Sequence, residues 1–112
     1  MSTESAKYIT VFVTCPQDRA PELATQLVQL RLAACVNIIG GLRSIYTWEG
    51  KVCDDAEALM VIKTRGVLFE ALRDKVVQLH PYDVPEVIAL PIIDGHAPYL
   101  RWLEESTGQR QA

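Results

Sequence analysis

The residues in this sequence best suited to chemistry are three cysteines and two histidines. Cys15, Cys35 and Cys53 are far apart in the chain, and neither His80 nor His96 has a cysteine two to four residues away. Copper and zinc prefer thiolate and imidazole ligands, but the sequence contains no close-spaced zinc-binding pattern. A soft-metal site would therefore join distant segments, and its candidate ligands are His80, Cys15 and Cys35.

Each candidate ligand could instead have a purely structural role. Cysteine often acts as a small buried hydrophobic residue, and His80 at a helix C-terminus is favoured by the helix dipole. Cys15 precedes the start of a predicted helix, a position that lowers the pKa of a thiol. Because the number of cysteines is odd, we expect reduced thiols, as in a cytosolic compartment.

A second group of functional interest surrounds two prolines. Residues 80–86 place polar and aromatic side chains around Pro81 and Pro85, which restrict the backbone and lower the entropy cost of fixing those side chains. This loop is either one wall of a binding cleft or a connector whose mixed surface suits an interface. The residues predicted to line the cleft are Tyr46, Trp48, Glu57, Lys63, Asp83 and Glu86.

Known catalytic signatures are absent from the sequence. There is no nucleophile elbow, phosphate-binding P-loop, dinucleotide fingerprint or His-Glu-x-x-His motif. Acylphosphatase shares the predicted fold class, but here the single Arg19 lies beside Asp18 in a segment that lacks glycine. We therefore expect no enzymatic activity, since fold alone does not carry function.

The composition limits both the size and the partners of the protein. A chain of 112 residues, 49% of them hydrophobic, is one domain that can fold without a metal. Its formal net charge of −3 argues against nucleic acid or an anionic membrane as a partner. No apolar run approaches the roughly 20 residues that span a bilayer, and no secretion signal is recognisable. The predicted location is the cytoplasm.

Four segments rich in β-branched and aromatic residues are predicted strands. They are residues 8–15, 35–48, 52–64 and 86–93. The first is predicted to be central and covered on both faces, and the last, which contains Pro91, to lie at an edge. Gly40 and Gly41 indicate a bulge in the second strand, and residues 49–51 a tight turn. The acidic first part of the third strand, with Glu57, is predicted to be exposed.

Helical spacing of apolar residues predicts three helices. The first begins between Pro16 and Pro21, the second has Thr64 as its N-cap and ends before Pro81, and the third covers 97–107. The order β-α-β-β-α-β plus a C-terminal helix predicts an α+β, ferredoxin-like split βαβ sandwich with its helices on one face of an antiparallel sheet. Residues 7–107 form this domain, between a frayed segment 1–6 and a polar tail 108–112.

The predicted hairpin of residues 35–64 is too long for a single domain. At about 3.3 Å per residue its arms reach about 45 Å, whereas a domain of this size has a radius of gyration of about 13 Å. An exposed arm with Ile45, Tyr46 and Trp48 would favour aggregation. We therefore expect a homo-oligomer joined through strand edges; a mobile arm on a monomer is the alternative.

Five blocks of this sequence resemble the CutA divalent-cation tolerance family. They are residues 33–38 (AACVNI), 44–51 (SIYTWEGK), 62–64 (IKT), 80–86 (HPYDVPE) and 99–103 (YLRWL). They occur in the family's order between about residues 7 and 105. The resemblance implies a homotrimer assembled like the PII signalling proteins, a link to copper and other divalent metals, copper binding in some members, and no established catalysis.

The resemblance also bears on the metal ligands. The copper ligands proposed in bacterial relatives are a cysteine late in the first strand and two histidines before Pro-Tyr, and here Thr14 and Leu79 take two of these positions. The leading hypothesis is a cytoplasmic homotrimer for divalent-cation tolerance that binds copper or another divalent metal. The alternative is a PII-like signalling or scaffold module that binds a small ligand or a protein partner in a cleft between subunits.

Overall fold

The structure, a computed structural model, describes residues 6–108. Residues 1–5 of the segment expected to be frayed, and residues 109–112 of the expected polar tail, lie outside the described residues. The described part is an α+β fold whose element order matches the predicted one. Its elements are β1 (Tyr8–Cys15), α1 (Ala20–Gln29), β2 (Cys35–Trp48), β3 (Lys51–Arg65), α2 (Phe69–Leu79), β4 (Ile88–Pro91) and α3 (Ala97–Ser106).

The four strands form one antiparallel sheet in the order β2-β3-β1-β4. The edge position predicted for the strand with Pro91 is confirmed. The strand covers only Ile88–Pro91, not 86–93, because its pairing with β1 is confined to residues 9–12. The residues before it belong to the loop that follows α2, which has a different role.

The two faces of the sheet differ in burial. Every second residue of β1, beginning with Ile9 and ending with Cys15, is buried against α1 and α2, and we call this side the helix face. The alternate residues, from Tyr8 to Thr14, are half-buried on the opposite side, which we call the open face. The prediction that β1 is covered on both faces is therefore wrong for this chain, since α1 and α2 pack on one face only.

The third helix does not pack beside the other two. Tyr99 of α3 contacts the thiol of Cys35, and Arg65 donates to the hydroxyl and carbonyl oxygens of Thr107 at 2.9 and 2.8 Å. The register places Cys35 and Arg65 on the open face. The expectation that all helices cover one face is wrong, because α3 covers one end of the open face and buries Leu103 there.

The β2–β3 hairpin contains the predicted bulge and turn. Its register shifts between Ile39 and Leu42, and Gly41 has a φ of 77°. The backbone N–H of Gly41 donates to the side-chain oxygen of Gln17 at 2.9 Å, which ties the bend to the turn after β1. Glu49 and Gly50 both have positive φ, as a two-residue hairpin turn requires.

Thr64 is not the N-cap of α2. It still belongs to β3, where it pairs with Ile9, and its hydroxyl donates to the carbonyl of Leu32 at 2.7 Å. A short 3₁₀ turn over Gly66–Leu68 precedes α2, and neither start has a side-chain cap. The hydroxyl of Thr64 therefore joins β3 to the segment that leads into β2.

Replacing Thr64 with Val keeps the shape of the side chain but leaves the carbonyl of Leu32 without its donor. We expect the free energy of unfolding in urea to fall by about 1–3 kcal/mol. The matched control is Thr25→Val, whose exposed hydroxyl donates to Pro21 at 2.7 Å, and it should change stability by less than about 0.5 kcal/mol. Equal effects of the two variants would contradict this assignment.

Candidate functional site

A groove of about 620 Å³ lies on the open face beside the end of β1. Its walls are the outer half of the β2–β3 hairpin and the loop after α2. This volume is typical of small-molecule sites. The residues that line it are Thr14, Ser44, Ile45, Tyr46, Trp48, Glu57, Pro81, Tyr82, Asp83, Val84 and Glu86.

The groove brings together five of the six residues predicted to form a cleft, and all five belong to one chain. They are Tyr46, Trp48, Glu57, Asp83 and Glu86. Lys63 lies elsewhere: it pairs with Cys35 near the other end of β3 and donates to the side-chain oxygen of Asn37. The role of the five in ligand binding stays a prediction.

Glu57 is the most unusual residue of the groove. It was predicted to be exposed, but it is only 4% exposed, because the loop after α2 folds over this part of β3. The hydroxyl of Tyr82 donates to one carboxylate oxygen of Glu57 at 2.8 Å. Within residues 6–108 no Lys, Arg or His nitrogen forms an ion pair with Glu57. The groove therefore contains a buried carboxylate without a cationic partner.

His80 anchors the loop that carries Tyr82. Its Nε2–H donates to the carbonyl of Thr14 at 2.7 Å, and its Nδ1 accepts the backbone N–H of Tyr82 at 3.1 Å. The rings of His80 and Tyr82 are 4.7 Å apart between centroids. Both imidazole nitrogens are thus engaged, and a metal would have to displace one of these hydrogen bonds to bind here.

The two cysteines predicted as metal ligands lie on opposite faces of the sheet. Cys15 is buried on the helix face opposite Ala58, and Cys35 is on the open face opposite Lys63. Five residues separate these positions along β3, a distance of about 17 Å. Burial, and then the negative charge of Glu57, raise the pKa of Cys15. The expectation of a lowered thiol pKa is wrong, because burial and the negative charge of Glu57 outweigh the lowering effect of Arg19 on the pKa of Cys15.

Residues 6–108 contain no group of three or more His, Cys, Asp or Glu side chains placed to hold a metal ion. A single chain therefore does not combine His80 with Cys15 and Cys35. Their assignment as ligands stays a prediction, and it requires contributions from more than one subunit.

The acidic character of the groove extends to its tyrosines. The hydroxyl of Tyr46 donates to the carboxylate of Asp55, and this bond raises the pKa of Tyr46 to about 12. Burial and the bond to Glu57 raise the pKa of Tyr82. Asp83 also lines the groove, and among the described residues neither Lys nor Arg does, so its carboxylates give this lining a net negative charge.

Among the residues that sequence reasoning missed are Tyr82, which lines the groove, and Asp55, which bonds to the lining residue Tyr46. Tyr82 was placed in the loop but not in the predicted cleft, although its position between two prolines was a usable signal. Asp55 precedes Glu57 by two residues on one strand, so both side chains point to the same face. That alternation identifies Asp55 as a neighbour of the site.

The protein family described as CutA1 divalent ion tolerance protein matches residues 9–106 of this chain. The chain belongs to this family. The resemblance seen in the five sequence blocks is therefore confirmed. The family's description names tolerance and no reaction, so the expected absence of catalysis stays a prediction.

Individual members of the CutA family are similar over nearly the whole chain. The divalent-cation tolerance protein CutA of Thermus thermophilus is 50% identical over 99 residues, which cover 88% of this chain and 96% of that protein. The Arabidopsis thaliana protein CutA, named chloroplastic, is 52% identical over 107 residues, 95% of this chain. The crystal structure of CutA1 from Oryza sativa has a TM-score of 0.89 at 50% identity, covering 97% of this chain and 100% of that one.

The relatives correct the predicted location. The chain spans 59% of the Arabidopsis protein and 54% of the human protein CutA. One relative is named chloroplastic, and a structure with a TM-score of 0.87 is described as the periplasmic CutA of Archaeoglobus fulgidus. The prediction of a cytoplasmic location is wrong, because similar chains are named for other compartments. In the described residues, no helix has the length and apolar character needed to cross a membrane.

Changing Asp55 to Asn should lower the pKa of Tyr46 from about 12 towards the ordinary value for tyrosine, about 10. The phenol ionises more readily once the neighbouring negative charge is gone. The ultraviolet absorbance of tyrosinate during an alkaline titration measures this change, and Tyr46→Phe identifies the transition. An unchanged titration in Asp55→Asn would disprove the contact.

Proposed function

We propose that this chain contributes to divalent-cation tolerance by binding a hydrated divalent cation in the groove, with Glu57 as the anchoring carboxylate. The observation that carries the proposal is the burial of Glu57 without an ion-pair partner in the described part of the chain. A buried carboxylate is costly unless an opposite charge is close by. A cation in the groove would supply that charge, and membership of a family named for divalent-ion tolerance supports the choice of ion.

The proposed binding is weak and exchangeable. No three ligands are preassembled among the described residues, so the ion would keep several waters and contact one or two carboxylates, as Mg²⁺ often does. Asp83 and Glu86 lie at the exposed rim, where they would attract the ion without closing around it. Such a site suits a protein that responds to cation concentration better than one that holds a permanent cofactor.

The proposal for copper is more specific than that for divalent cations, and it involves different residues. Thiolate and imidazole suit copper, and Cys35 is half-buried on the open face. We propose that copper binds where Cys35 of one subunit approaches His80 of another, after His80 releases Thr14 or Tyr82. Cys15 is the weaker candidate because it is buried in the core.

Isothermal titration with Mn²⁺ tests the anchoring role of Glu57. Glu57→Gln should weaken binding about tenfold or more, since it removes the charge on which the site depends. The matched control is Asp54→Asn on the same strand, where the carboxylate already binds Arg43 at 2.7 Å; it should bind Mn²⁺ like the wild type. Unchanged affinity in Glu57→Gln would refute the groove as the cation site.

In a parallel titration with Cu(I), Cys35→Ser should reduce binding, and no reduction would remove Cys35 from the copper site.

We also propose that the chain forms a homotrimer with a PII-like, edge-to-edge arrangement. β2 and β4 are the two edges of the sheet, and exposed edges favour pairing with another chain. The hairpin adds exposed apolar surface beyond the core: Val52 is 78% exposed and Ile45 is 65% exposed. Association would remove this surface from water.

Sedimentation equilibrium tests the assembly directly. The expected mass is three times the 12.5 kDa of one chain. Val52→Glu should lower the mass towards one chain, because it places a charge on the apolar side of the hairpin. Val67→Glu is the matched control, since Val67 is 63% exposed on the turn before α2. A wild-type mass of 12.5 kDa at micromolar concentration would exclude the trimer.

A further inference from the structure

We propose that the groove also binds an organic ammonium ion whose charged end meets Glu57 and whose hydrocarbon part lies against the aromatic walls. The inference rests on the proposed cation site, but it commits to a different chemical class of ligand. A hydrated metal ion needs only carboxylates and water, and it leaves the aromatic lining of the groove without a role.

The aromatic side chains provide the first argument. Trp48, Tyr46 and Tyr82 line one groove, and they are 47%, 41% and 38% exposed, so a ligand could cover their open surface. Aromatic faces attract ammonium groups, most strongly when water is excluded. They also bury hydrocarbon, which a metal ion does not offer. A cation with an apolar part therefore uses both properties of these walls.

The polar groups provide the second argument. One oxygen of Glu57 accepts the hydroxyl of Tyr82, which leaves the other oxygen for a ligand. An ammonium group has three N–H donors, and the hydroxyls of Thr14 and Ser44 in the same lining are suitable acceptors. The charged end of the ligand would thus be satisfied next to the buried carboxylate.

The charge of the rim excludes the opposite class of ligand. Asp83 and Glu86 border the groove, and among residues 6–108 neither Lys nor Arg lines it. Nucleotides and other anions would meet three carboxylates from this part of the chain, and like charges in contact repel. Lys63, which was predicted to line the cleft, lies near the other end of β3.

The wall formed by the loop is already ordered for binding. His80 ties it to the end of β1 through Thr14, and Pro81 fixes its own φ and restricts the conformation of His80 before it. The ligand would therefore bind without first ordering this segment, which removes part of the entropy cost of association. The hydrogen bond from the Tyr82 hydroxyl to Glu57 would thus help to hold this wall in the shape that the ligand requires.

Titration calorimetry with benzylammonium tests the inference on the full chain. We expect saturable binding of benzylammonium and none of benzyl alcohol, which has the same shape without the charge, or of phenylacetate, which has the opposite charge. Equal binding of benzyl alcohol would overturn the inference, because it would identify an apolar pocket with no need for Glu57. Absence of benzylammonium binding would overturn it as well.

Two substitutions separate this inference from the proposed metal site. Glu57→Gln should weaken both Mn²⁺ and benzylammonium, whereas Trp48→Leu should weaken benzylammonium about tenfold and leave Mn²⁺ unchanged. Trp102→Leu, on α3 outside the groove and also about half exposed, is the control and should change neither. Trp48→Phe keeps an aromatic face and should restore most of the affinity, which guards against a loss caused by misfolding.

The possible failures are distinguishable. If Mn²⁺ binds and benzylammonium does not, this inference fails and the proposed metal function stands. If benzylammonium binds through Glu57 and Mn²⁺ does not, the metal function fails and this inference stands. If Trp48→Leu binds benzylammonium like the wild type, the aromatic walls have no part in recognition and the inference is wrong.

Discussion

The antiparallel pairing of β1 with β3 determines which face of the sheet each side chain of the paired residues occupies. Eight consecutive pairs, from Tyr8 with Arg65 to Cys15 with Ala58, hold the two strands in one register. Because side chains alternate along a strand, this register sends one set into the core under α1 and α2 and the other set to the open face. A slip by one residue would move Glu57 into the helix face and Ala58 to the groove, exchanging core and site.

The groove depends on a second, non-local contact built on this register. His80 bonds to the carbonyl of Thr14, the last open-face residue of β1, and thereby positions Tyr82 to reach Glu57. The buried carboxylate is therefore a product of two segments that are distant in sequence. Among residues 6–108 it has no positive partner, and this burial is an electrostatic cost that a bound cation would offset. The proposed cation site thus agrees with the divalent-ion tolerance for which the family is named.

Local patterns predicted the elements well, because alternation, glycine pairs and prolines act within a few residues. The bulge at Gly41 and the edge position of Pro91 are examples. The errors concern properties set by distant segments. Glu57 looked exposed because its strand is acidic, but its cover comes from the loop around Tyr82. Thr64 looked like a helix cap, although β1 keeps it in a strand, and no local pattern indicated that α3 packs on the open face.

Side chains alternate along the strands of the hairpin, so its two faces carry different sets of residues. Tyr46 and Trp48 point to the open face and form the groove, whereas Val52 and the Arg43–Asp54 pair point to the other side. Neighbouring residues on one strand thus face different surroundings. A substitution on one surface of the hairpin therefore need not alter the other. This separation accounts for an arm longer than the core requires. Its inner part completes a sheet, and its outer part would provide one surface for the proposed ligand and another for the proposed neighbouring subunit.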